Sequence, residues 1–567
     1  MIKFRIVYGF VLASILLGAC ASQGVNLTPE APAAQSDQPP GDAIYDVLVG
    51  EIAGQRGQWP IAATHYLHAA QTTHSPAIAE RATRVAFLAG DTKAGLEAAR
   101  LWLTLQPNNN EAHQSLAILL LRNGETVNTL TELETLLANL RPHGAEEAYT
   151  LVAALLAREK DPDAVLGIMS TLVDRAGRYQ PEALIALGRL ALQTKRFAVA
   201  MESLDKALRA RPGLIDAMIL RARVLQIQGK REAALHYLGD VLKTQPNDHP
   251  LRLAYGRALI DAAQFDQARE QFTVLAHQDP NNGDVLFALG ILCLQANQDA
   301  QAKQQFLRLI DLKQRTQEAA FYLGQLAETH KRTAEAMKWY RSINGGDNAL
   351  DAHIRLAVLI ARQGDLAAAR DHLHSIEPQD TAQSVRLVLT EADLLTDAGR
   401  LEESMEILSR AITELPDNAD LLYAHAMTAE RMNKISILEE DLTTILSTDP
   451  NHVQALNALG YTLADRTKRF QDALGYIQRA LALRPKDFYI LDSMGWVQYR
   501  LGNHAEAVRY LEQAIALRDD PEVAAHLGEV LWVMGNHKEA RKVWQHAMKR
   551  DPNSKVVREA MDHFNEH

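Results

Sequence analysis

The chain has 567 residues, of which 47% are hydrophobic and 23% charged, and this ordinary globular balance excludes wholesale disorder. Its net charge is −11, so we expect no nucleic-acid partner, because nucleic-acid binders are more often basic. Aromatic residues make up only 6% of the chain, a composition that suits stacked helices better than sheet. The two cysteines, Cys20 and Cys293, cannot build a disulfide framework.

Residues 1–19 have the parts of a secretory signal peptide. Lys3 and Arg5 form a short positive segment, and residues 6–17 are almost wholly apolar. The apolar run is shorter than the roughly 18 residues that a membrane-spanning helix needs. The segment therefore predicts export rather than a membrane span.

Residues 17–20, Leu-Gly-Ala-Cys, resemble the lipobox of bacterial lipoproteins. The resemblance implies that the thiol of Cys20 is acylated, with palmitate among the chains, and that Cys20 begins the mature protein. Ala21 in place of Asp after this cysteine implies sorting to the outer membrane, facing the periplasm. Residues 19–21, Ala-Cys-Ala, also fit an A-x-A cleavage site, which leaves plain secretion as an alternative.

Residues 20–42 are rich in Ala, Gln, Ser and Pro and end near Pro39-Pro40-Gly41. Such a segment cannot bury enough apolar surface to order itself, so we interpret it as a flexible tether after the lipidated cysteine. Cys293 falls at a core position of the pattern described next and is expected to be a small buried apolar residue.

One unit of 34 residues repeats from residue 43 to residue 554. In consecutive units position 8 is small, position 24 is large and apolar, and position 32 is often proline, as in Gly188, Ala222, Gly256, Gly290 and Gly324, then Leu204, Leu238, Phe272, Phe306 and Tyr340, then Pro212, Pro246 and Pro280. Small residues let two helices approach, the large residue fills the space between units, and proline ends the second helix. The pattern resembles the tetratricopeptide repeat (TPR), L-G-x2-Y, A-x3-F, P.

The TPR resemblance implies an all-α fold: a TPR solenoid, that is, a right-handed superhelix of about fifteen helix-turn-helix repeats with a long concave face. The expected organisation is a partly irregular N-terminal array at 43–180, a central array at 181–452, a C-terminal array at 453–554, and a capping helix with a tail at 555–567.

No motif for catalysis or cofactor binding stands out. Ser203 and Lys206 form an S-x-x-K pair, but they lie inside a predicted helix without the companion motifs of acyl enzymes. His65 and His68 share a helix face, yet no third and fourth metal ligand is evident, so we assign them to the solvated convex surface. We expect no enzyme activity, no cofactor and no metal.

In the TPR family, positions 2, 5, 9, 12 and 13 face the concave groove, and helical periodicity agrees for the first four. Arginine recurs at position 9, and three of these arginines are spaced by one repeat, so we expect a concave ladder: Arg84, Arg189, Arg223 and Arg257. Arginine suits bidentate recognition of carboxylates, which predicts an acidic or C-terminal peptide client. The alternative is pairing with acids of neighbouring helices, such as Glu182, Asp216 or Asp261.

A second set of concave positions near the C-terminus is aromatic, with charged residues among the rings: Tyr461, Tyr489, Asp492, Trp496, Tyr499, Arg500, Glu529 and Trp532. Tyr, Trp and Arg are frequent anchors of protein interfaces, so this set is a second candidate binding site. The alternative is packing between successive helices or against the capping helix.

Residues 455–544 resemble the TPR outer-membrane lipoproteins of proteobacteria, through 458–465 (ALGYTLAD), 491–496 (LDSMGW) and 524–532 (AAHLGEVLW). The best-understood type in that group is the lipoprotein partner of the carboxyl-terminal processing protease, which tethers and activates that periplasmic protease and presents cell-wall hydrolases to it. The resemblance implies a protein-binding adaptor in which the protease docks on the aromatic units and an acidic client docks on the arginines. The alternative is an assembly lipoprotein for a type IV pilus secretin or for polysaccharide export.

Overall fold

The structure is a computed structural model that describes residues 41–177 and 180–565. Every regular element in these ranges is a helix, and none of the helices there is long and apolar enough to cross a membrane. Helices α1–α30 form fifteen consecutive pairs, followed by the single helix α31. The expected all-α repeat fold of about fifteen units is thus confirmed. The chain divides into two compact units, Met1–Gln245 and Pro246–His567.

The described helices of the first unit are α1 Gly41–Gln55, α2 Trp59–Thr73, α3 Pro76–Ala89, α4 Thr92–Leu105, α5 Asn110–Arg122, α6 Thr126–Leu140, α7 Ala145–Leu156, α8 Pro162–Ala176, α9 Pro181–Gln193, α10 Phe197–Ala210, α11 Ile215–Ile227 and α12 Arg231–Thr244. A short 3₁₀ helix, Arg141–His143, precedes α7. Helix α1 begins at Gly41, two residues inside the predicted tether.

The second unit begins with α13 His249–Asp261, α14 Phe265–Gln278, α15 Gly283–Gln295, α16 Asp299–Leu312, α17 Thr316–Thr329, α18 Thr333–Arg341, α19 Ala349–Arg362, α20 Leu366–His374, α21 Thr381–Asp397 and α22 Leu401–Glu414. It continues with α23 Ala419–Arg431, α24 Ile435–Thr448, α25 Val453–Arg466, α26 Phe470–Leu483, α27 Phe488–Arg500, α28 His504–Leu517, α29 Pro521–Val533, α30 His537–Arg550 and α31 Lys555–Asn565.

The repeated small and large residues hold the helices of a pair together. A Cβ atom added to Gly324 would lie 2.4 Å from Cε1 of Tyr340, and one added to Gly528 would lie 2.0 Å from Nε1 of Trp544. Both rings have 0% exposure. Glycine at position 8 therefore makes room for the large residue at position 24, as the sequence pattern predicts.

The turn between the two helices of a pair also follows the period. A left-handed backbone recurs every 34 residues at position 15, whichever residue is there: Lys195, Gly229, Ala263, Asn297 and Lys331. A residue in the left-handed conformation ends a helix, and glycine adopts this conformation without the steric cost that a side chain incurs. The repeated tertiary context thus fixes this turn even where the sequence lacks glycine.

The last helix closes the array. Val557 of α31 is fully buried, and the ring of Phe564 stacks on Trp544 of α30 with centroids 6.1 Å apart. Terminal repeats need such a cover, because each unit contacts only its neighbours and would otherwise expose its last apolar face.

Candidate protein-binding site

Two of the predicted ladder arginines are ion-paired. The guanidinium of Arg84 on α3 lies 2.6 Å from Glu80 and 3.2 Å from Glu111. Arg189 on α9 lies 3.7 Å from Asp216 on α11. These contacts are the ones that the alternative of pairing with acids predicts for the two residues, and surface pairs of this kind contribute only about 0–1 kcal/mol. Binding of a client by these two arginines stays a prediction.

Arg223 on α11 and Arg257 on α13 are exposed, and no hydrogen bond or ion pair of either side chain is found among the described residues. Glu182, a possible partner, pairs instead with Arg211 at 2.8 Å. Arg223 belongs to the first unit and Arg257 to the second. Each therefore presents a guanidinium that is available to a carboxylate of another molecule.

The structure divides the aromatic cluster into buried and exposed members. Trp496 and Asp492 are each only 7% exposed, whereas Tyr489 is 54% exposed. Trp496 stacks on His526 with ring centroids 4.3 Å apart. The expectation that Trp496 and Asp492 are surface anchors needs correction, because both pack between successive helices.

Asp492 forms a buried ion pair. Nδ1 of His526 lies 2.9 Å and 3.1 Å from the two carboxylate oxygens of Asp492, and the two residues are one repeat apart on α27 and α29. Burial alone would lower the pKa of His526, but the charge and hydrogen bond of Asp492, with the charges of Glu522 and Glu529, raise it overall. The fold thus favours an imidazolium at this site.

Tyr499 and Glu529 form a second polar contact beneath the surface. Burial, followed by the charge of Glu529 and a hydrogen bond to it, raises the pKa of Tyr499 to about 12. Burial also raises the pKa of Glu529, while the hydrogen bond from Tyr499 opposes that rise. Tyr499 on α27 is therefore a neutral phenol that interacts with Glu529 on α29.

Trp532 is in contact with the C-terminal cap. Its ring stacks on His537 at 4.2 Å, lies 5.8 Å from Trp544, and lies 6.1 Å from Phe564 of α31. These contacts agree with the alternative of packing against the capping helix, while Trp532 is also partly exposed, and its role in binding stays a prediction. Arg541 covers its ring at 5.1 Å.

The remaining aromatic residues line a groove of about 530 Å³ in the second unit. The groove runs along helices α23, α25, α27 and α29, and the residues that carry its chemistry are Tyr423, Glu430, Asn457, Tyr461, Tyr489 and Glu522. We call it the tyrosine–carboxylate groove. Its volume is within the range of ordinary ligand pockets.

Carboxylates dominate the electrostatics of this groove. Burial raises the pKa of Tyr461, and the charges of Asp465, Glu522, Asp492 and Glu430 raise it further. Glu522 is an exposed residue, but the protein around its carboxyl group desolvates it and raises its pKa. The charge of His526 opposes this rise, and the charges of Asp492, Asp520 and Glu430 add to it. The groove is therefore a region of negative potential lined by neutral phenols.

Several groove residues were missed by the sequence interpretation, although the signal was present. Tyr423 and Asn457 occupy position 5 of their units, Glu430 occupies position 12, and Glu522 occupies position 2. These are the positions at which the family faces its concave groove. Reading every unit at these positions would have found them.

The other candidates have local roles. His65 and His68 both hydrogen-bond Asp46 of α1, the former at 2.7 Å, so they pair with a carboxylate instead of facing solvent alone. Ser203 donates to the carbonyl of Val199 at 2.8 Å. Cys293 is buried, and burial raises the pKa of its thiol. Cys20 lies outside the described residues.

Comparison with family models agrees with the helix pairs. Two models described as tetratricopeptide repeat match residues 130–215, 225–281, 287–349, 423–488 and 498–562. These matches cover more than half of the chain, which therefore belongs to the tetratricopeptide repeat family. Such repeats indicate a protein-binding scaffold, are generally non-catalytic, and imply protein partners.

A TPR repeat-containing protein of Pseudomonas aeruginosa, PA4667, is 37% identical to this chain over 490 residues, which are 86% of this chain and 82% of the relative. The human protein O-mannosyl-transferase TMTC1 is 24% identical over 174 residues, covering 29% of this chain and 19% of that protein. Among solved structures, yeast Tom70 is 15% identical with a TM-score of 0.30, over 92% of this chain and 95% of Tom70.

Proposed function

We propose that the protein is a non-catalytic scaffold anchored to the outer membrane through lipidated Cys20. In this proposal it acts as an adaptor that brings a periplasmic carboxyl-terminal processing protease and its cell-wall hydrolase clients together. The observation that carries the scaffold role is the tyrosine–carboxylate groove, a preformed surface on the concave positions of four successive units.

Two separate surfaces support the adaptor role. The exposed guanidinium of Arg223 suits an acidic client, and Arg257 offers a second such group, while the groove is negative and suits a different partner. A lipid anchor and a tether would confine both partners near one membrane. Holding two partners on one scaffold raises their effective concentration without any new contact between them.

The test is affinity capture from periplasmic extract. The chain from Ala21 onward would be immobilised, and the bound proteins identified by mass spectrometry. Joint recovery of a carboxyl-terminal processing protease and a peptidoglycan hydrolase is the expected result. Recovery of secretin or polysaccharide-export components alone would overturn the adaptor role and support an assembly lipoprotein instead.

The anchor is tested separately. Wild-type protein should label with a palmitate analogue and fractionate with outer membranes, and Cys20→Ser should abolish both. Secretion of the Cys20→Ser variant together with unlabelled, soluble wild-type protein would contradict lipidation and favour the plain secretion alternative.

A further inference from the structure

The tyrosine–carboxylate groove contains two carboxylates, of Glu430 and Glu522, for which no direct ion pair is found among the described residues, although the charge of His526 acts on Glu522. In the part of the chain that the structure describes, the one hydrogen bond found to the carboxylate of Glu430 is a long one, 3.4 Å, from the hydroxyl of Thr462. No side-chain hydrogen bond or ion pair to Glu522 is found among the described residues, whereas its neighbour Asp492 is already neutralised by His526. Glu430 and Glu522 therefore remain free to bind a cation.

A second observation, independent of the charges, points to a hydrogen-bond donor. The side-chain oxygen of Asn457 is shielded from solvent at the groove and has no hydrogen-bond partner. Buried polar atoms are normally satisfied, and leaving one unpaired costs about 1–3 kcal/mol. A peptide N–H that entered the groove would satisfy this acceptor.

The tyrosines complete the site. Tyr423, Tyr461 and Tyr489 line the same groove as the two carboxylates. An aromatic face attracts a Lys or Arg side chain, by about 0.5–1 kcal/mol where exposed and about 2 kcal/mol where desolvated. The groove thus offers rings for the stem of a basic side chain and carboxylates for its charged end.

Among the described residues that line the groove, one is basic, the exposed Arg484, and four are acidic, Glu430, Asp487, Asp492 and Glu522. The lining is therefore complementary to a cation and repels an acidic ligand. An acidic peptide, the client expected for the arginines, is accordingly the wrong occupant for this groove.

We propose that the groove binds a basic peptide segment of a partner protein. An Arg or Lys side chain of the peptide lies against Tyr461 and pairs with Glu430 and Glu522, and a backbone N–H of the peptide donates to Asn457. This inference rests on the proposed scaffold function and specifies the chemistry of one of its partners.

The first test varies the peptide. Fluorescent 12-residue pools with random neutral flanks would carry Arg, Lys, Gln or Glu at the centre, and fluorescence anisotropy with the chain from Ala21 onward would measure binding. We expect the Arg and Lys pools to bind at least tenfold more tightly than the Gln pool, the Glu pool least, and the preference to weaken with salt. Equal binding of the Arg and Gln pools would overturn the proposal.

The second test varies the protein. Glu430→Gln combined with Glu522→Gln should weaken binding of the Arg pool at least tenfold. A matched control, Glu402→Gln combined with Glu512→Gln, replaces two exposed acids outside the groove. It changes the net charge by the same amount as the groove double variant. It should bind as the wild type does. Equal loss in both double variants would show mere attraction to an acidic protein and overturn the proposal.

Two controls show that the variants are folded and that the ligand in the groove is a peptide. Circular dichroism should show unchanged helicity in both double variants, because glutamine keeps the shape of glutamate. Asn457→Ala, added to the groove double variant, should weaken binding of the Arg pool further. Free arginine amide is tested as a competitor at the same concentration as the peptide pool. If it displaces the pool, the groove is a site for small cations, and the assignment of a peptide ligand is overturned.

The outcomes separate this inference from the proposed function. The variant Glu430→Gln with Glu522→Gln could capture the protease and a hydrolase as well as the wild type does. This result would support the scaffold role and contradict the proposal that the groove binds a basic segment of a partner. If the groove binds basic peptides but neither the protease nor a hydrolase is captured, the result would support the proposed peptide site and contradict the proposed adaptor function.

Discussion

Position 9 of the repeat holds arginine in some units and an aromatic residue in others, and the two kinds of residue differ in exposure. At position 9, Arg223 and Arg257 are exposed, whereas Trp496 is buried and Tyr461 lies in a partly buried groove wall. The repeat therefore decides which face a residue is on, but the size and polarity of the side chain decide how accessible it is. A long cation extends into solvent, while a ring fills the space between successive first helices.

The sharpest way to break this comparison is Trp496→Ala. Removing a buried tryptophan that stacks on His526 should destabilise the C-terminal repeats by about 3–5 kcal/mol. Hydrogen exchange of α25, α27 and α29 would measure this locally, since repeat arrays open unit by unit. The exposed Tyr489→Ala is the control and should change stability by less than about 0.5 kcal/mol. Unchanged protection in Trp496→Ala would restore it as a surface anchor.

The second prediction concerns the buried pair beneath the groove. Asp492→Asn leaves the buried ring of His526 without its charge partner and should cost about 3 kcal/mol at pH 6, as expected when one member of a buried ion pair is removed. Local hydrogen exchange in α27 and α29 would report the loss. A variant as stable as the wild type at pH 6 would show that this pair does not hold the two helices together.

The same pair gives a pH dependence with a definite sign. The folded-state pKa of His526 is raised, so its contribution is fully present below its unfolded value of about 6.5 and is lost as pH rises through the folded pKa. The pKa values of Glu522 and Glu529 are also raised, so their deprotonation costs stability in the same direction, starting from the ordinary carboxyl pKa of about 4.3, and the change between pH 6 and pH 8 is assigned to His526. We expect the C-terminal repeats to be less stable at pH 8 than at pH 6, and Asp492→Asn to reduce the difference. A rise in stability with pH would contradict this.

Much of this region was predictable because the relevant information repeats. Position 8 predicts the close approach at Gly528, and a carboxylate and a histidine one repeat apart, Asp492 and His526, could have been recognised as a pair. Exposure was not predictable in the same way. Whether Trp496 points to solvent or stacks on His526 depends on side chains contributed by three successive helices, and a single sequence does not specify their rotamers.

A third prediction tests the close approach with matched glycines. Gly528→Ala places a methyl group against the buried ring of Trp544 and should cost about 1–3 kcal/mol. Gly475→Ala on α26 meets open space and should stabilise by about 0.5–1 kcal/mol, because alanine favours a helix interior. Thermal unfolding and hydrogen exchange of α26, α29 and α30 would compare them. Equal effects of the two substitutions would contradict the packing account.

The smallest expected effect on stability is at the arginines of position 9. There we expect substitutions to reduce binding of a client while the stability of the fold stays nearly the same. Replacing Arg189, Arg223 and Arg257 by Glu should change stability by less than about 0.5 kcal/mol per site, because the side chains are at least partly solvated. Of the three, Arg189 is the one for which an ion pair is found among the described residues. Binding of an acidic client, measured by capture with each single variant and with the triple variant, should fall most for Arg223 and Arg257, for which no ion pair is found in the described ranges. Arg84→Glu is the control, because its two existing ion pairs already occupy the guanidinium. Loss of client binding in Arg84→Glu alone would place the acidic-client surface at the N-terminal repeats, and unchanged binding in the triple variant would remove the arginines from recognition.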